Sequence, residues 1–126
     1  MRAAALAAAA ALALSGCASV RHCGAGGRHM VVVENTGWYF LNVIPLASGN
    51  PDSPNGCSCR LFRQTTTLKN NMKMLDRAAK ELGAAEVTNV SSSWTDEAVL
   101  FILFKRHMCQ TSAELIIPPE KERPCE

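Results

Sequence analysis

Among 126 residues, a single stretch, 65–82, repeats its apolar side chains with the period of an α-helix. Leu68, Met72, Leu75, Ala79 and Leu82 line one side, and Lys69, Lys73, Asp76, Arg77 and Lys80 lie mostly away from it. One of Thr65, Thr66 or Thr67 is placed to cap its start, and Gly83 to close its end. The other ordered stretches read as strands. Residues 30–34 are a β-branched run, Asn35-Thr36-Gly37 is a turn signal with a positive φ expected at the glycine, and 38–46 is a second strand with Pro45 near its end. Residues 47–64 read as a loop, 85–91 as a weaker strand, 99–105 as a strong one continuing to about Cys109, and 111–117 as a short edge strand. The order β-β-α-β-β predicts one small α+β domain, with the helix across a mostly antiparallel sheet of four or five strands.

That arrangement has an apparent surplus of apolar surface. Residues 99–104 and 38–44 are apolar on both alternating faces, whereas a sheet with one wet face alternates polar and apolar residues. Either another part of the chain covers the second face, or a partner or second copy does. Formal charge is +2 with no basic block longer than Lys105-Arg106-His107, which argues against a nucleic-acid binder.

The N-terminus carries the most specific signal. Arg2 is followed by an apolar run over 3–14, shorter than the roughly 20 residues of a membrane-spanning helix and of the length of a signal-peptide core. It ends in Leu14-Ser15-Gly16-Cys17, which resembles the lipobox of bacterial lipoproteins. That resemblance implies diacylation of the Cys17 thiol and cleavage before it by signal peptidase II, so that two or three acyl chains anchor the chain to a membrane. Ala18 rather than aspartate at the next position implies sorting to the outer membrane. The stretch Leu82-Gly83-Ala84-Ala85-Glu86-Val87, where a helix runs straight into a strand, is similar to a pattern in small envelope lipoproteins and carries no functional residue with it. The expected organisation is a signal peptide (1–16), an acylated cysteine and flexible glycine-containing tether (17–29), the α+β domain (30–117) and a charged tail (118–126).

With Cys17 lipidated, Cys23, Cys57, Cys59, Cys109 and Cys125 remain as candidate disulfide or thiol residues, an odd number. Cys57 and Cys59 are too close to bridge each other without strain, and an oxidising envelope favours bridges. The expectation is a loop at 57–59 stapled to Cys109 or Cys125, with Cys23 in the tether as the unpaired or intermolecular thiol. Cys57 and Cys59 with His22, Cys23 and His29 would suit copper(I) or zinc. A lone CxC lacks the paired spacing of a zinc site, so no metal and no cofactor is expected. The sequence holds no GxSxG, HExxH, Walker loop or dinucleotide fingerprint. His107 and Cys109 are expected to share a strand face, with Cys109 structural. Ser93-Trp94-Thr95-Asp96 reads as a polar turn, and Trp38 as core.

The sequence therefore predicts a non-enzymatic outer-membrane lipoprotein facing the periplasm, attached through its lipid and contacting a protein partner or a second copy. A redox or metal sensor using the non-lipidated cysteines is the alternative.

Overall fold

A computed structural model describes residues 17–55, 59–99 and 102–119, with Cys59 by its backbone alone. Six strands and one helix follow the order β1 (Ala18–Ala25), β2 (Arg28–Phe40), β3 (Ile44–Gly49), β4 (Cys59–Leu61), α1 (Leu68–Leu82), β5 (Glu86–Val99) and β6 (Phe104–Ile116). The sheet runs β4-β3-β2-β6-β5, antiparallel at each pairing. β1 shares an edge of β2 with β3: β1 pairs with residues 28–35 and β3 with residues 37–40. The α+β class with one helix on an antiparallel sheet agrees with expectation, although the strands number six in the order β-β-β-β-α-β-β.

The helix is built as its sequence implies. Thr67 is the N-cap, its hydroxyl accepting from the Asn70 amide at 3.2 Å, and Gly83 closes the helix in the left-handed region at φ 67°. The buried side is turned from the expected one toward Met74 and Ala78, leaving Leu68 and Met72 exposed. It packs Met74, Leu75, Ala78, Ala79 and Leu82 onto Val31 and Val33 of β2, Ala113 and Leu115 of β6, and Ala18 of β1. Each large side chain so buried stabilises the fold by about 1.5–3 kcal/mol. Polar contacts complete the seam: Asn71 Nδ2 donates to the Cys109 carbonyl at 2.8 Å, and Asn35 Nδ2 to the Thr65 carbonyl at 2.7 Å.

Several expectations are corrected. The segment expected as a tether is strand β1, and its hairpin to β2 turns on Gly26 and Gly27, both at positive φ. Two glycines at consecutive positive-φ positions belong to a tight hairpin turn, which composition alone does not separate from a flexible linker. Asn35-Thr36-Gly37 is no turn: β2 runs through it, paired without a break to Cys109, Met108 and His107. Gly37 is absent from the positive-φ positions; glycine is required because a Cβ there would sit 2.5 Å from Thr66 Oγ1. The turn comes later, at residues 41–43. Residues 99–105, expected as a strand, include the connection from β5 to β6; residues 111–116 lie in β6, an inner strand of the sheet; and 93–96 lie inside β5. Trp38 is half-buried.

These shifts reduce the surplus of apolar surface. The helix-free face carries Glu34 from β2, Gln110, Ser112 and Glu114 from β6 and Ser91, Ser93 and Thr95 from β5. Ion pairs Arg21–Glu34 at 3.7 Å and Arg28–Glu114 at 3.4 Å span neighbouring strands of it. Its middle is wet, but the same face also carries Met30, which is 62% exposed, and half-buried Val32, Trp38 and Met108. Further exposed apolar residues gather at the end of the sheet where β2 connects to β3 and β5 to β6.

Candidate functional site

Two hairpin connections meet at that end. In the first, Phe40 accepts from the Val43 amide at 3.2 Å, and the two central residues, Leu41 and Asn42, have φ of 51° and 62°, the sign that a type I′ turn requires. The second connects β5 to β6, and the Leu41 amide donates to the Leu103 carbonyl at 2.8 Å, tying the tips together. At their base the rings of Phe40 and Phe104 stand 5.5 Å apart. The tips display aliphatic side chains to water: Val43 is 77% exposed and Ile102 72%, with Leu41, Ile44 and Leu103 also exposed. Phe62, beyond β4, is exposed nearby, its amide donating to the Leu46 carbonyl at 3.2 Å. Contiguous exposed apolar side chains of this kind mark contact surfaces.

Below the tips, on the helix side, a pocket of about 280 Å³ is lined by Tyr39, Asn42, Gln64, Thr66, Trp94 and His107 among others. The His107 ring meets Tyr39 edge-on at 4.5 Å, and its Nδ1 contacts the Asp96 carboxylate. Asp96 and His107 stand directly opposite in the β5–β6 ladder, as do the ion-paired Glu97 and Arg106. Cross-strand pairing of oppositely charged side chains accounts for both contacts. The sequence pairs His107 with Cys109 on one strand face but does not reveal Asp96 as its partner, because residues 93–96, which read as a polar turn, belong to strand β5.

Burial pushes the Tyr39 phenol and the Cys109 thiol above their ordinary values of 10.0 and 9.0, with the hydroxyls of Thr66 and Thr111 respectively acting in the opposite direction. Both are acids held neutral by the fold, so their contribution to stability is complete below the unfolded value and is lost as pH rises through the folded one. Thermal stability is therefore expected to decline above the ordinary thiol value of 9.0, and less steeply in Cys109→Ala. Iodoacetamide followed by peptide mass mapping provides a second readout. In unlipidated protein the exposed Cys17 is expected to alkylate readily near neutral pH, and the buried Cys109 only after denaturation.

The cysteines are distributed differently from expectation. Cys23, expected as the unpaired thiol, is disulfide-bonded. Cys109, expected as an anchor for the 57–59 loop, is a free buried thiol on the helix side of β6. Cys57 and Cys125 lie outside the described residues, as does the side chain of Cys59. The physical reason is position: β1 places Cys23 on the edge of the sheet, whereas Cys109 faces the interior opposite Asn35.

Of the soft ligands considered, the sheet does bring His22 and His29 together, their ring centroids 6.3 Å apart. His29 is fully buried, and neither of its ring nitrogens has a hydrogen-bond partner among the described residues. His22 also lines an open cavity of about 940 Å³ between β1, α1 and residues 52–55. Cys23 is not available as a thiolate, and no group of three His, Cys, Asp or Glu side chains that would hold a metal occurs among the described residues. Around that cavity, Asn55 works as a surrogate strand: it exchanges side-chain bonds with the Val20 amide and carbonyl at 2.9 and 3.1 Å and donates its own amide to the Ala18 carbonyl at 2.9 Å. The start of the free edge of β1, at Ala18 and Val20, is thereby covered.

Residues 1–16, with Leu14, Ser15 and Gly16, lie outside the described residues; Cys17 is described and exposed. No described helix is long and apolar enough to cross a membrane. No family model matches the sequence, and no curated protein or solved structure matches it.

Proposed function

We propose that the chain is a lipid-anchored, non-enzymatic protein of the bacterial envelope, held in the outer membrane through Cys17 with its α+β domain facing the periplasm. Its work is contact rather than chemistry. The observation that carries this reading is the double tip: aliphatic side chains of two joined hairpins stand in water together at one end of the sheet. The anchor itself rests on the lipobox-like Leu14-Ser15-Gly16-Cys17. The disulfide at exposed Cys23 favours a second reading, a redox sensor on the sheet edge.

Lipidation has a direct test in cells. Globomycin, which blocks signal peptidase II, is expected to accumulate a precursor longer by residues 1–16. Cys17→Ser is expected to abolish incorporation of labelled palmitate. Normal processing under the drug, or palmitate on the serine variant, overturns the lipoprotein reading.

A further inference from the structure

Aliphatic side chains at the two tips are held in water by turns that a smaller or more polar residue would make more easily. Leu41 occupies a left-handed position at φ 51°, where glycine, asparagine or aspartate are the ordinary residues and a leucine carries a steric penalty. With its side chain 48% exposed, burial offsets only part of that penalty, and the strain points to a role outside the fold.

We propose that the two tips are a second membrane contact, entering the interfacial layer of the bilayer beside the acylated Cys17. This inference rests on the lipid-anchor reading for its location. Three observations select a bilayer as the occupant. The first is distance. Cys17 is not on a tether: its carbonyl accepts from the Thr36 amide at 2.7 Å and β1 begins at the next residue. Leu41 follows Thr36 by five positions along β2, about 17 Å at the usual rise of a strand. An acyl chain on Cys17 holds the tips within reach of the headgroups.

The second observation is charge. The segments 35–51 and 98–113, which contain both tips, hold no aspartate or glutamate. The nearby carboxylates of Asp96 and Glu97 are committed to His107 and Arg106. Lys105, at the base of the second tip, and Arg63, beside exposed Phe62, have no carboxylate partner among the described residues. Aliphatic tips above cations with no carboxylate partner among the described residues suit a layer of acyl chains beneath anionic headgroups. The third is shape. The tight turn at Leu41-Asn42 projects a few side chains, and at the bilayer interface the polar backbone of such a turn keeps its water.

The test uses the chain from residue 17 onward with Cys17→Ser, since every described element lies within 18–117. Flotation with vesicles of equal parts phosphatidylethanolamine and phosphatidylglycerol is expected to carry it upward, and phosphatidylcholine vesicles are expected to carry less. The double variant Val43→Asp/Ile102→Asp is expected to lose about tenfold or more in partitioning, since several buried methyl groups are exchanged for charge. Its thermal unfolding is expected to match the parent's.

Leu41→Gly keeps the result interpretable if charge disturbs folding. It relieves the left-handed strain, so stability is expected to hold or rise while partitioning falls. A parent chain that stays in the aqueous fraction overturns the proposal, as does a double variant that floats equally well. Tip-dependent dimerisation without vesicle binding also overturns it and assigns the surface to a second copy. Because the tested chain carries no acyl group, its failure leaves the lipid anchor standing, and a negative globomycin result leaves the vesicle result standing.

Discussion

Leu115→Ala is expected to destabilise the protein by about 2–5 kcal/mol, the usual range for truncating a fully enclosed leucine. Leu115 is 0% exposed, and it sits in β6 between His29 of β2 and Val87 of β5, facing the helix. β6 is bonded along most of its length on both edges, so it has little freedom to close the space that the lost methyl groups leave. In a domain of about 100 residues each kcal/mol is worth roughly 4–8 °C in Tm, giving an expected fall of at least about 8 °C. Ile102→Ala removes aliphatic carbons from an exposed turn and is expected to change stability by about 0.5 kcal/mol or less. Thermal unfolding of the pair checks both. Equal losses would mean that the tip belongs to the core, and its reading as a contact surface would fall.

The contrast between these residues also shows why part of the fold is legible in the sequence and part is not. The helix is written locally: a threonine cap, an amphipathic period and a glycine at the left-handed terminus all depend on neighbours within a few positions. The strands are written in pairings that the sequence does not display. Residues 99–104 have the composition of a buried strand, yet β5 ends at Val99 and β6 starts at Phe104. Hydrophobicity alone does not separate an apolar strand from an apolar connection between strands. Conversely, residues 86–99 include three serines, two threonines and three carboxylates, and still form a 14-residue strand, because β6 supplies hydrogen bonds along it and nearly all of its side chains stand in water. Cys17 was legible as a residue type, but its closeness to the sheet was not. The glycines that turn β1 back onto β2 carry the same composition as a linker.

Gly49 shows that closeness most directly, and Gly49→Ala is expected to be as damaging as a core truncation. A Cβ at this position would stand 2.4 Å from both the Ala18 nitrogen and the Cys17 carbonyl carbon, and 2.6 Å from the Cys17 oxygen. These are backbone atoms, so no side-chain rotation relieves the overlap. Either β3 moves away or residues 17–18 do, and the latter carry two bonds with them: Thr36 amide to Cys17 carbonyl at 2.7 Å, and Asn55 amide to Ala18 carbonyl at 2.9 Å. Overpacking typically costs about 1–3 kcal/mol, and each lost bond adds about 0.5–1.5 kcal/mol. The sum is about 2–6 kcal/mol. Gly26→Ala separates steric closeness from conformational demand: nothing lies within 4 Å of the place its methyl group would take, so only the φ of 66° opposes it, at about 1 kcal/mol. Amide exchange distinguishes the two routes. Gly49→Ala is expected to accelerate exchange at Thr36 and Asn55 selectively, whereas Gly26→Ala is expected to leave both protected. Unchanged protection at Thr36 in Gly49→Ala would mean that β3 yields instead, and that Cys17 is held to the sheet more firmly than the strand beside it.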